Sequence, residues 1–149
     1  MPERTDFYRI RFDADPVQLL FFRHGLDRWL TSLDWPEGER IDVVLAVYEV
    51  CANAVQHAYL ISGPGDVEVV ARLVAGPHAR HLVVDVRDHG QWRPEGRAAG
   101  LGLTAVRACM AAVKIKHDEE GTVVRMASRR VPLPGGFGSD DGDAALRAL

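Results

Sequence analysis

Five polar side chains interrupt an otherwise apolar stretch between residues 39 and 60: Asp42, Glu49, Asn53, Gln56 and His57. Positions 49, 53 and 57 are successive steps of four, while 42 and 56 each lie seven from 49, so on an α-helix all five project along one narrow stripe. A solvated stripe of an amphipathic helix is the commoner meaning of such a pattern, but it is usually built from Lys, Arg and Glu. Here the stripe offers a carboxylate, an amide and an imidazole, groups suited to proton transfer, hydrogen bonding and metal ligation.

A second set of candidates lies downstream. Asp88 closes a β-branched run and shares the parity of Leu82, Val84 and Val86, which directs its carboxylate to the apolar side of a sheet. Alone, Asp88-His89-Gly90 reads as an Asx turn opening a loop. Thr122 has the parity of Val124 and Met126, opposite Arg125 and Arg129, and is placed on the same layer. Gly100-Leu101-Gly102, set before a helix expected from about Leu103, would leave backbone N–H groups pointing at an anion, helped by the helix dipole. Arg93, Arg97 and Arg107 can add positive charge toward phosphates, although solvated surface roles are commoner for arginine.

The elements that must position these residues follow from periodicity and breakers. Phe7 to Phe12 alternates as a short strand. Asp15-Pro16 then opens a helix with Asp as cap and Pro at its first position, running to about Leu33 with Leu19, Leu20, Phe22, Leu26, Trp29 and Leu30 at helical spacing and expected in the core. A turn at Trp35-Pro36-Glu37-Gly38 precedes a largely buried helix from Glu39 to Leu60. Val67 to Val74 and His81 to Arg87 read as an antiparallel pair joined at Gly76-Pro77. Asp88 to Gly100 is a loop, Leu101 to Ala112 returns to helical spacing, and two strands follow at Val113 to His117 and Thr122 to Val131. This order predicts an α/β (α+β) two-layer sandwich, a mixed and mostly antiparallel sheet with about three helices on one face. Residues 1–131 form one domain on this reading, and 132–149, rich in Pro, Gly, Ser and Asp, form a disordered tail.

Composition narrows the partners. A net charge of −3 without a basic run gives no footprint for nucleic acid. No segment approaches the roughly 18 uninterrupted apolar residues of a membrane span. Cys51 and Cys109 sit in apolar helical stretches where a thiol packs as a small hydrophobe, which fits a reducing cytoplasm.

Taken together, Glu49-x-x-x-Asn53-Ala54-Val55-x-His57-Ala58-Tyr59, Asp88-x-Gly90, Gly100-Leu101-Gly102-Leu103 and Gly121-Thr122 resemble the GHKL superfamily of ATP-binding domains from roughly Asp13 to Val131. Within it, Asn-Ala-Val-x-His-Ala-Tyr is most similar to the bacterial anti-sigma-factor serine/threonine protein kinases. The resemblance implies a Bergerat-type ATPase fold, with Asn53 binding the Mg²⁺ that bridges the ATP phosphates and Glu49, one turn earlier, acting as general base. It further implies that Asp88 accepts from the adenine amino group with Thr122 in support, that Gly90 lets the backbone approach the base, and that Gly100, Leu101 and Gly102 close over the phosphates. His57 and Arg97 belong to the same nucleotide-binding set.

The implied partners are an anti-sigma-factor antagonist protein that is phosphorylated, a sigma factor that is sequestered, and a second copy of the chain. A module that binds ATP or a sigma factor without catalysis is the alternative. The sequence departs from the family pattern at Trp92, where many members have a second glycine, and in a short loop from Gly90 to Gly100. A sensor histidine kinase would add a helical hairpin with a phosphoacceptor histidine, and a chaperone-type ATPase a transducer domain; neither is expected in these 149 residues.

Overall fold

The computed structural model describes residues 6–58, 63–90 and 97–134; for residue 58 and residues 97–102 only the backbone is described. Strand β1, Phe7–Asp13, turns out through Asp15, whose carboxylate accepts from the Val17 N–H at 2.7 Å and caps helix α1, Pro16–Ser32. Cap and proline set the start as the sequence predicts. Leu19, Phe22, Leu26, Trp29 and Leu30 form the buried face of α1, whereas Leu20, expected with them, turns one position past that face and is exposed; Phe22 stacks on Phe12 of β1 with ring centroids 5.1 Å apart.

Helix α2, Glu37–Asn53, begins two residues earlier than expected. Pro36, at φ −56°, already has the dihedral that leads into a helix, and Glu37 and Glu39 suit the positive end of the dipole. Gly38 therefore lies inside the helix rather than in the turn. The far end differs more. The α-helix stops at Asn53 and Ala54–Ala58 form a π-helical turn, closed by i to i+5 hydrogen bonds, where the 3.6-residue pattern alone predicts α-helix to Leu60. Tyr59 and Leu60 lie outside the described residues.

Strands β2, Asp66–Ala75, and β3, Ala79–Asp88, make the expected hairpin, in register from Val67 opposite Asp88 to Ala75 opposite Arg80. Helix α3 is Arg97–Cys109, followed by β4, Ala112–Asp118, and β5, Gly121–Ala127. The last expected strand is broken: Ser128 to Arg130 leave the ladder, and Val131–Pro132 form a short β6 against Ala79 and Arg80 of β3. Proline lacks an N–H for a central ladder, so the pairing ends there. The tail expected from 132 lies, beyond residue 134, outside the described residues.

The sheet runs β1-β2-β3-β5-β4, all neighbours antiparallel, with β6 beside β3. Alternation puts Val67, Val69, Ala71, Leu82, Val84, Val86, Val124 and Met126 under the helices, where they meet Phe22, Leu26, Leu30, Val43, Val47, Val50 and Val106 in one core. The other face carries Arg9, Arg11, Glu68, Arg72, Asp85, Arg87, Lys114, Lys116 and Arg125. This is the two-layer sandwich the sequence predicts. Cys51 is buried and burial pushes its thiol far up, so it packs as a hydrophobe; Cys109, half-buried near Asp42, is raised by burial and by that carboxylate. Among the described residues no helix is long and apolar enough to cross a membrane.

Candidate functional site

The direction of α2 decides which residues can meet. Its start is tied to the start of β3: buried Arg80 donates to the carbonyl of Asp34, two residues before Pro36, and stacks on Trp35. The 17 residues of α2 span about 25 Å and the 10 of β3 about 33 Å. Helix and strand start together, so Asn53 lies toward the Asp88 end of the sheet. β2, which follows α2 in the chain, begins at Asp66 at the same end and pairs Val67 with Asp88.

At that end three polar side chains are buried: Asn53 is 7% exposed, Asp88 3% and Thr122 1%. Asp88 and Thr122 are direct cross-strand partners, both on the helix-facing side. The Gly90 N–H donates to Asp88 Oδ1 at 3.0 Å, so the Asx turn forms and fixes the carboxylate at the strand end. The side-chain amide of Asn53 is different: its Nδ2 has no hydrogen-bond partner. An unmet buried donor costs about 1 to 3 kcal/mol, which makes this amide a place where a ligand acceptor would recover free energy.

Glu49, one turn before Asn53, is half-buried and makes no ion pair among the described residues; His57 is half-buried and Gln56 exposed. The single stripe expected for all five polar residues is not kept. Asp42 lies toward the other end and holds Arg129 at 3.0 Å, a structural pair in which Arg129 also donates to the Ala108 carbonyl at the end of α3. The π turn, with more residues per turn than the α-helix, shifts Gln56 and His57 off the α-helical register.

The glycine segment requires a correction. Gly100, Leu101 and Gly102 do not precede the third helix; they lie within it, because α3 starts at Arg97. Ala98, Ala99, Leu101 and Ala105 are strong helix formers, and the packing of Leu103, Val106 and Met110 extends the helix backward, together outweighing about 1 kcal/mol per glycine. The N–H groups free of intrahelical partners are those of residues 97–100, so Gly102 is not an anion-facing position. Arg97, expected in the loop, is the first helical residue. Since α3 follows Asp88 and ends at Arg129 and Asp42, its positive end points to the Asp88 end of the sheet. Trp92 and Arg93 lie outside the described residues.

Two more residues shape this corner: Gly121, read in the sequence only as part of the Gly121-Thr122 motif, and His117, which the sequence reading missed. Gly121 has φ +133°, and a Cβ there would stand 2.0 Å from the Asp88 carbonyl oxygen and 2.7 Å from His89 Cα. Only glycine lets β5 come this close to β3. His117 on β4 pairs across the ladder with Thr122, its Nδ1 2.7 Å from Thr122 Oγ1. Its parity with Val113 and Ile115 was the available signal, since that parity turns it to the core-facing side of an edge strand. Among the described residues no three His, Cys, Asp or Glu side chains are grouped to hold a metal ion alone.

Sequence comparison assigns this helical layer on an antiparallel sheet to a class: the chain belongs to the histidine kinase-like ATPase domain family, whose model covers residues 12–128. Within that class it is similar to the serine-protein kinase RsbW of Bacillus licheniformis, 27% identical over 139 residues, which covers 83% of this chain and 86% of that protein. Among solved structures it is similar to the RsbU and RsbW domains of Rv1364c from Mycobacterium tuberculosis, with a TM-score of 0.69 and 26% identity over 87% of this chain. The chain spans 34%, about a third, of that multidomain chain.

Proposed function

We propose that this chain is an ATP-dependent serine/threonine protein kinase of the anti-sigma type, which phosphorylates an antagonist protein and sequesters a sigma factor. The observation that carries the reading is the buried, unpartnered Asn53 amide at the same end of the molecule as buried Asp88 and Thr122. In this reading Asp88 and Thr122 receive the adenine base, and the first turn of α3, with Arg97, faces the phosphates. Asn53 suits a phosphate-bound cation: its oxygen can ligate and its NH₂ can donate to a phosphate oxygen. Mg²⁺ takes few protein ligands and would neutralise charge on the phosphates when bound.

Glu49 supplies the remaining chemistry. A carboxylate one helical turn from Asn53, with no ion-pair partner among the described residues, can take the proton of a serine or threonine hydroxyl as its oxygen bonds to the γ-phosphorus and the bond to ADP breaks. Positioning and charge stabilisation do the rest. The similarity to RsbW supports a kinase, and the exposed Val17, Leu20 and Phe21 on α1 with Ile41 and Leu45 on α2 support a protein partner or second copy covering these helices.

The test is incubation with γ-labelled ATP, Mg²⁺ and candidate antagonist proteins. A serine or threonine of the antagonist becomes labelled, and Glu49→Ala lowers the labelling rate about 10²-fold or more while partner binding persists. Nucleotide binding without labelling of any partner would leave a sequestering module in place of a kinase.

A further inference from the structure

The hydrogen bond between His117 and Thr122 bears on which base the site accepts. Thr122 is 1% exposed and stands directly across the ladder from Asp88, whereas His117, on edge strand β4, is exposed. A threonine hydroxyl has one proton to give and two lone pairs. The tautomer sets the direction of the 2.7 Å bond: in a neutral imidazole protonated on Nε2, Nδ1 is the acceptor and the Thr122 hydroxyl donates to it. The hydroxyl oxygen then has only lone pairs left for the pocket. An ionised Asp88 also only accepts.

We infer that His117 is a specificity-determining residue: by holding the Thr122 proton it makes that hydroxyl an acceptor, so that Thr122 and Asp88 together select a base bearing an exocyclic amino group, as in adenine, over one bearing a carbonyl there, as in guanine. An amino group has two protons, one for each acceptor. A guanine carbonyl would meet two acceptors and no donor. His117 acts through Thr122 and needs no contact with the nucleotide. Among the described residues the charged and titratable groups around this corner are Asp118, Glu119 and Glu120 in the hairpin, Asp88 and His89 at the end of β3, and Arg87 and Lys116 on the neighbouring strands. His89 Nδ1 lies 3.3 Å from the Glu120 carbonyl, which leaves the imidazole of His117 as the one bonded to Thr122.

This inference rests on the base-pocket reading, and the experiment separates the two. ATP and GTP affinities, with Mg²⁺, are measured by calorimetry on the full chain and on His117→Phe, His117→Gln, Thr122→Val, the His117→Phe/Thr122→Val pair and Asp88→Ala. His117→Phe frees the hydroxyl proton to point into the pocket and narrows the ATP-over-GTP preference at least tenfold. His117→Gln, whose amide oxygen can accept the same proton, keeps most of the preference. In the Thr122→Val background, His117→Phe changes nothing further. An unaltered preference in His117→Phe, or an equal loss in the Thr122→Val background, overturns the assignment while leaving the pocket intact. If the wild-type chain binds neither nucleotide, or Asp88→Ala binds ATP undiminished, the base-pocket reading fails and takes the inference with it.

Discussion

The two ends of β3 each bury a charged residue, and they treat it in opposite ways. At the start Arg80, 2% exposed, is walled in: it donates to the carbonyls of Pro132 and Asp34, and its guanidinium lies 4.8 Å from the Trp35 ring centre. The Trp35 indole N–H has no acceptor there, a cost offset by the cation held on the ring face. That corner ties α1, α2, β3 and β6 into one rigid joint. At the finish Asp88 is equally buried, and the other polar groups buried toward that end have capacity to spare: the Asn53 amide has an unused Nδ2, and the partner of Thr122 is an exposed histidine. Burial alone therefore does not mark a site. Buried polar capacity left unused does.

Substitutions at each end should separate these roles, and the largest effect is expected at Gly121. Gly121→Ala places a Cβ against the Asp88 backbone at a φ that L-residues rarely adopt, so the β3–β5 contact must open. A loss of about 3 to 4 kcal/mol is expected in denaturant unfolding, together with loss of nucleotide binding. A near-neutral result would mean that β5 does not need this approach. At the other end, Arg80→Ala removes the hydrogen bonds to the Pro132 and Asp34 carbonyls and the contact with Trp35, and is expected to cost about 3 kcal/mol of stability. Nucleotide affinity of the folded variant should not change. If affinity fell in step with stability, the two ends would be coupled and the contrast between them would fail.

The fold was legible because its signals are local and mutually consistent. Asp15-Pro16 starts a helix wherever it stands before helical periodicity, and the alternation of Leu82, Val84, Val86 and Asp88 specifies one face of a strand regardless of its neighbours. The candidate site stood out in its residue types, Glu49, Asn53, Asp88 and Thr122, because their polarity contradicts the apolar surfaces on which they sit. What the sequence hid depends on tertiary packing. Helix α3 reaches back over two glycines because Leu103 and Val106 anchor it, an energy that propensity does not contain. The π turn after Asn53 leaves no periodic trace in five residues, and it carries Gln56 and His57 away from the register of Glu49. The close approach at Gly121 and the bond from His117 to Thr122 exist only once β5 lies between β3 and β4.

Asp88→Ala sharpens the contrast from the functional side. Removing the carboxylate takes away the turn hydrogen bond from Gly90, so some stability is lost, while ATP binding should weaken by about 1.5 to 3 kcal/mol, the worth of a buried charged hydrogen bond. Calorimetric affinity and thermal unfolding on the same sample check both halves. Unchanged affinity would move the base elsewhere.

The smallest effect belongs to neither end. On the open face Glu68 accepts from Arg9 at 3.1 Å and Arg11 at 3.0 Å, and the Arg9 hydrogen bond, with Arg11 in support, holds its carboxyl below the usual glutamate range. A carboxylate whose folded pKa is depressed stabilises the protein above its unfolded pKa, and that stability disappears as pH falls through the folded value. Both arginines are largely exposed, so solvent and salt screening keep the contribution under about 1 kcal/mol. The wild type should therefore lose slightly more stability than Glu68→Gln as pH drops from the ordinary glutamate range downward, and added salt should narrow the difference. Nucleotide affinity at neutral pH should be the same for both. A Glu68→Gln variant that bound ATP more weakly would show that the open face communicates with the Asp88 end, and function would no longer be confined to the helix-covered side of β3.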